Sequence, residues 1–414
     1  MAKKMAKTKD PGAQSPPPVR FDPADPMKFF NHPDTVKARA NVLLEAERED
    51  IFFNHFSVED HYSFERPFVA AAQGDDEALA KLYQVVPGPG LSAESLTMLG
   101  FKYLEREPYD VVRGLNCLRQ AAEMGYDCAK AHYGFNLYTR SENLEVVLDG
   151  LANLEEVAEA GNAWALTQLA RIAFEGFPGC RPAPTKAKRY LAQAAEKGYS
   201  VALASLGALN LGLTGHPKNA PLALDFLRRA ANKGNGPAMN YLGVSHFKGR
   251  HGLDKDAERT LGLLAGSAKT AYGPGIENLL LARQLLGGSR EDWVSDMEVY
   301  EWAAEKGLPQ AMTALGQIHA RGLGGEPVDL PKAVGRFMQA AAVQYVPGSV
   351  ELAKCLLFGA GIPQDPEKGL TLLNVSADEG DKEAMFVLSV LYRNGYAVEA
   401  NPGQAYRLAE KAGQ

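Results

Sequence analysis

Small and apolar residues return along most of this chain with a period of 36 or 37 residues, with polar residues between them. The clearest marker is a repeated anchor at Gly125, Gly161, Gly198, Gly234, Ala271, Gly307, Gln344 and Gly380. Three residues before every anchor stands an alanine, from Ala122 to Ala377. Eight residues after each stands Tyr133, Leu169, Leu206, Leu242, Leu279, Leu315, Leu352 or Leu388. An earlier unit anchored at Leu91 adds Leu99 and Gly100. A repeat of this length marks stacked units, each burying its apolar face against its neighbours.

One unit, Gly198 to Gly234, shows how the pattern becomes structure. Apolar residues from Val201 to Gly212 recur at helical spacing, and Gly215 and Pro217 break that helix. Pro221 opens a second helix over Leu222 to Lys233, which Gly234 stops. Glycine suits such a stop because helix C-termini commonly need a left-handed residue. Ala195 and Ala231 on second helices, and Gly207 and Gly243 on first helices, read as close-approach positions. Leu206 and Leu242 then fill the space between.

This pattern resembles the Sel-one-like repeat family, a relative of the tetratricopeptide repeats. Its first-helix motif matches at Ala202, Leu206 and Gly207; at Ala238, Leu242 and Gly243; and at Ala311, Leu315, Gly316 and Gly322. Its second-helix motif matches at Lys186, Ala187, Tyr190, Ala194, Ala195 and Gly198, and again at Lys332 and Ala333. The resemblance implies an all-α, right-handed solenoid of about nine two-helix units over residues 91–414. It also implies an adaptor for protein complexes. Some secreted relatives carry a cysteine pair in each repeat; this chain does not, which fits a reducing compartment.

Two anchors depart from glycine together. Ala271 is followed by Tyr272, Pro274 and Gly275, and Gln344 by Tyr345, Pro347 and Gly348. An equivalent turn is expected at both joints, the alternative being a change of curvature. Residues 27–90 fall outside the repeat register and read as a helical N-terminal cap, preceded by a basic, proline-rich disordered tail over 1–26. Within the cap, Phe29-Phe30-Asn31-His32 recurs as Phe52-Phe53-Asn54-His55. Cap packing is the first reading of these aromatics; a docking segment carried by Phe29, Phe30, His32, Phe52, Phe53 and His55 is the second.

The composition narrows the function classes. A net charge of -6 with 23% charged residues argues against a general nucleic-acid binder. No secretory leader and no run of the ~18 apolar residues that a membrane span needs is evident, so a cytoplasmic location is expected. Cys117, Cys128, Cys180 and Cys355 form no CxxC pair and read as small buried residues.

No catalytic motif stands out. His55, Glu59, Asp60 and His61 are the best metal candidates, but such a group is common on solvated turns. His246 and His319 share one repeat position and read as packing residues. Gly287-Gly288 and Gly322 to Gly325 read as turns between helices, and no phosphate cradle or dinucleotide fingerprint is present. No enzyme, cofactor or metal is expected.

Binding is the better expectation. Positions six, ten and thirteen past each anchor form one stripe on the first helices, which by resemblance lines a concave groove. The stripe carries Phe101, Phe135, Tyr138, Arg171, Phe174, Asn240, Phe247, Glu277, Gln317, Lys354, Phe386 and Arg393; position fourteen adds Lys248 and Arg321. Aromatic and arginine anchors among amides suit a protein or peptide partner. The expected function is therefore a non-catalytic adaptor, scaffold or regulator. The rivals are self-assembly through the C-terminal repeat and, by resemblance to cysteine-rich secreted relatives, a hydrolase. The last helix, with Arg407, Glu410 and Lys411, is expected to turn a polar face outward.

Overall fold

The computed structural model describes Met27, Asn31, Thr35 and residues 91–105, 110–176, 181–212 and 218–413. The expected tail, most of the expected cap, the duplicated FFNH segment apart from Asn31, the His55 cluster and Cys180 lie outside them.

The described chain is helical throughout its repeats, with eighteen α-helices and one short 3-10 turn at Leu323–Gly325. In chain order these are α1 (Ala93–Glu105), α2 (Val111–Glu123), α3 (Asp127–Arg140), α4 (Leu144–Glu159), α5 (Ala163–Glu175) and α6 (Pro184–Glu196). They continue with α7 (Ser200–Asn210), α8 (Ala220–Asn232), α9 (Gly236–Lys248), α10 (Ala257–Ala268), α11 (Gly273–Leu286) and α12 (Arg290–Glu305). The last six are α13 (Pro309–Arg321), α14 (Leu330–Ala342), α15 (Val346–Phe358), α16 (Pro366–Asp378), α17 (Lys382–Asn394) and α18 (Pro402–Ala412). Odd-numbered helices are the first helices of the repeats and even-numbered ones the second.

The chain divides into two compact units, one of residues 47–282 and one of residues 1–46 with 283–414. In the unit of residues 47–282, from α1 to α10, each first helix packs on its own second helix, and each second helix before α10 packs on the next first helix. In the other unit the same order runs from α12 to α18. Across repeats, α1 approaches α3 and α3 approaches α5; α13 approaches α15 and α15 approaches α17. Helices that meet across repeats lie on the tighter side of a stack, so the first helices form the inner layer of each unit.

The anchors explain where every second helix ends. All eight have positive φ, including Ala271 at 60° and Gln344 at 59°. The anchor N–H donates to the carbonyl three residues back, as from Gly198 to Ala195 and from Gln344 to Ala341. At seven junctions the following N–H reaches the carbonyl five residues back, as from Tyr199 to Ala194. These two bonds with a left-handed residue are the Schellman closure. Gln344 thus takes the same closure as glycine, the equivalent turn that was expected, and Ala271 shares its positive φ and its shorter bond.

Second helices other than α6 also start on side-chain caps that the period does not reveal. Asp110, Asn143, Asn219, Asp256, Ser289, Asp329, Asp365 and Asn401 each accept a backbone N–H from the first turn of their helix. Such a cap contributes about 1 kcal/mol.

Close packing inside a repeat depends on glycine in the first helix. A Cβ on Gly207 would lie 2.6 Å from Leu227, and one on Gly316 2.3 Å from Phe337. Of the alanines expected to do the same job on second helices, Ala195 is buried, as are the equivalent Ala158, Ala268 and Ala304. Ala231 is only partly buried, whereas Ala230 is fully buried, as are Ala121, Ala194, Ala303 and Ala340. The third residue from the helix end is thus the more consistently buried of the two small residues.

Candidate partner surface on the first helices

Two side-chain ladders cross the inner layer, one in each unit. The ladder of the first unit is aromatic. Phe101 on α1 meets His132 on α3 edge-on, with ring centroids 4.5 Å apart. His132 stacks on Trp164 of α5 at 3.9 Å, and Phe135 meets the same Trp164 edge-on at 5.5 Å. Arg171 lies with its guanidinium carbon 4.9 Å from the centre of the Phe135 ring. Three successive first helices are therefore joined by rings capped with a cation, a favourable arrangement for both. Tyr138 sits beside it; burial foremost, then Glu175, raise its phenol above the usual range, and Arg171 lowers it.

The ladder of the second unit is charged and largely buried. Glu351 on α15 is its hub. One carboxylate oxygen accepts from Gln317 Nε2 at 2.7 Å and pairs with Arg321 Nη2 at 3.4 Å. The other pairs with Lys354 Nζ at 2.7 Å, and Lys354 also faces Glu383 of α17 at 3.8 Å. Arg321 Nη1 donates to Gln284 Oε1 at 3.2 Å. Lys354 is 2% exposed, so the balance of two cations against two carboxylates is what allows the cluster to be buried.

Of the expected stripe, Phe101, Phe135, Tyr138 and Arg171 come together in the first ladder, and Gln317, Arg321 and Lys354 in the second. Phe174 packs against the core of the first unit, and Asn240 accepts from Asn278 at 2.8 Å. Phe247 and Lys248 are half-buried and Arg393 is exposed. Phe386 is 8% exposed within an apolar cluster of α15 to α17, so it serves packing more than display. His132, Trp164, Glu351 and Glu383 were missed because they stand at positions three and seven past the anchor, outside the chosen stripe. Their types carried little signal, because position seven also holds Gln168, Ser205 and Asn278 and position three also holds Gln310.

The titratable groups away from the ladders are quiet. Burial pushes the Cys117 thiol up to about 11 and the Cys355 thiol up to about 12, so neither is a ready nucleophile near neutral pH. His319 is 3% exposed, and burial foremost, then Lys332, lower its pKa. His246 is likewise buried, with Nδ1 3.1 Å from the Asp254 carbonyl oxygen. A second buried ion pair, Arg283 Nε to Asp296 at 2.8 Å, ties α11 to α12. Among the described residues no three His, Cys, Asp or Glu side chains gather as a metal site, and no helix is long and apolar enough to cross a membrane. On α18, Tyr406, Arg407, Glu410 and Lys411 are exposed, the polar outer face that was expected.

Paired helices stacked in one register, closed by the same turn and joined by ladders along their first helices, define a repeat solenoid protein. Seven segments match the Sel1 repeat: residues 93–126, 165–199, 200–235, 236–265, 309–335, 348–381 and 382–414. The chain belongs to the Sel1 repeat family. An uncharacterized protein of Neisseria meningitidis is 29% identical over 219 residues, covering 53% of this chain and 44% of that one. Chitin synthase regulatory factor 3 of Schizosaccharomyces pombe is 30% identical over 96 residues, 23% of this chain and 10% of that one. Chitin synthase regulator SKT5 of Saccharomyces cerevisiae is 27% identical over 208 residues, 48% of this chain and 30% of that one. The chain thus spans less than half the length of these relatives. Among solved structures, a Sel1 repeat protein from Oxalobacter formigenes is 22% identical with a TM-score of 0.44, covering 81% of this chain and 94% of that one.

Proposed function

We propose that this chain is a non-catalytic interaction scaffold that holds a protein or peptide along the inner layer of its first helices. The observation that carries the reading is the half-buried edge of the aromatic ladder, Phe135, Tyr138 and Arg171, backed by the buried Phe101 and Trp164. Rings and an arginine preset by mutual stacking lose little freedom when a partner settles on them, which is how interface anchors gain their effect. Two relatives are named as regulators of an enzyme. That supports a part in which chemistry belongs to the partner.

The test is affinity capture from native lysate with the full chain and with a Phe135→Ala, Arg171→Glu variant whose helix content is checked by circular dichroism. A partner recovered by the wild type and lost by the folded variant is the expected result. Identical recovery by both would remove this surface from the reading.

A further inference from the structure

The second ladder makes one contact that sequence distance hides. Arg321 Nε donates to Asn31 Oδ1 at 3.3 Å, across 290 residues of chain. Met27 packs on the neighbouring apolar cluster that includes Ala320, Ala333, Phe337, Leu352 and Ile362. The Asn31 N–H donates to the Met27 carbonyl at 2.8 Å. This bond places Met27 and Asn31 side by side, so they can meet one surface together.

The chemistry of the receiving face is specific. The Arg321 side chain is 11% exposed, and its three nitrogens meet three different acceptors. Gln284 and Glu351 hold the two terminal nitrogens from within the solenoid. Nε is held by Asn31, and a buried charged donor stripped of its acceptor is costly. Beside it the buried Gln284 Nε2 has no acceptor among the described residues. The face thus demands acceptor oxygens next to an apolar shelf. A helical turn offering an apolar residue and, four positions later, an amide or carboxylate meets that demand.

We propose that the inner face at Arg321 is a docking site for such a turn, and that the chain's own Met27 and Asn31 occupy it in competition with partners. This rests on the reading of the first-helix layer as the partner surface. While these two residues are seated, the apparent affinity of a partner falls by the fraction of molecules left open. A partner sharing the apolar and acceptor pair displaces it; one that lacks the acceptor does not.

The probe is a fluorescein-labelled peptide of residues 24–38, ADPMKFFNHPDTVKA, followed by anisotropy. It is titrated into the full chain and into a full-length Met27→Glu, Asn31→Ala variant. Saturable binding to the variant, about tenfold or more tighter than to the wild type, is expected from loss of the internal competitor. A peptide with alanine at the Asn31 position should bind the variant about tenfold more weakly, a comparison that needs no further change to the protein. Equal affinity for both chains, no saturable binding to the variant, or indifference to that alanine would each overturn the proposal. Should the peptide bind while the Phe135→Ala, Arg171→Glu chain keeps every partner, docking stands and the scaffold reading of the aromatic ladder falls. The reverse pair of results rejects docking alone.

Discussion

Glu351 shows how much can hang on one side chain in a solenoid. It neutralises Lys354, which is 2% exposed, and it takes hydrogen bonds from Gln317 and Arg321 on the preceding first helix. Glu351→Ala would leave a buried ammonium facing only Glu383 at 3.8 Å. Breaking one side of a buried pair typically costs about 3–5 kcal/mol. Urea unfolding of the variant should show a loss in that range, and a loss below about 1 kcal/mol would mean that water replaces the carboxylate. Gln317 and Lys354 of this ladder were legible in the sequence because they share position ten of the stripe, with Arg321 added at position fourteen. Their partner was not. Glu351 lies one position outside that stripe, and periodicity says which residues share a face but not which long side chains bend toward each other across repeats.

At the scale of the helix pair, the junction was the most readable feature of the chain. A residue in the left-handed region is needed once per repeat, and glycine meets that need without a steric penalty, so the anchor repeats. Ala271 and Gln344 hold φ of 60° and 59° at a cost that glycine would avoid. Ala271→Gly and Gln344→Gly should each raise stability by about 0.5–1 kcal/mol, the left-handed penalty less the extra entropy of glycine in the unfolded chain. Thermal or urea unfolding checks it; destabilisation by either change would show that the native side chain makes a compensating contact. The alanine before each anchor was harder to place. Two small residues stand side by side there, as at Ala194 and Ala195, and the period marks both equally. Both of these are buried, and only the turn geometry tells them apart: Ala194 accepts the longer Schellman bond and Ala195 the shorter.

At the scale of the molecule, each repeat in the unit of residues 47–282 is bonded to its neighbours and to little else. The sequence made this organisation legible for residues 91–414 because the period is an account of nearest neighbours. It said less about residues 27–90, where no neighbour relation repeats, and nothing about Asn31 meeting Arg321. A stack of this kind should open locally. Gly100→Ala puts a Cβ 2.9 Å from Leu118 at the contact of α1 with α2 and so strains one repeat. Hydrogen exchange should then show lost protection in α1 to α4, fading by α9 and α10, which lie three repeats further along the same unit. Uniform loss from α1 to α10 would mean that the unit opens all at once. The difference bears on function, because the aromatic ladder spans α1 to α5. Local opening would let those helices adjust to a partner while the repeats behind them hold their register, whereas all-or-none opening would make the ladder a rigid platform that accepts only a partner already shaped to it.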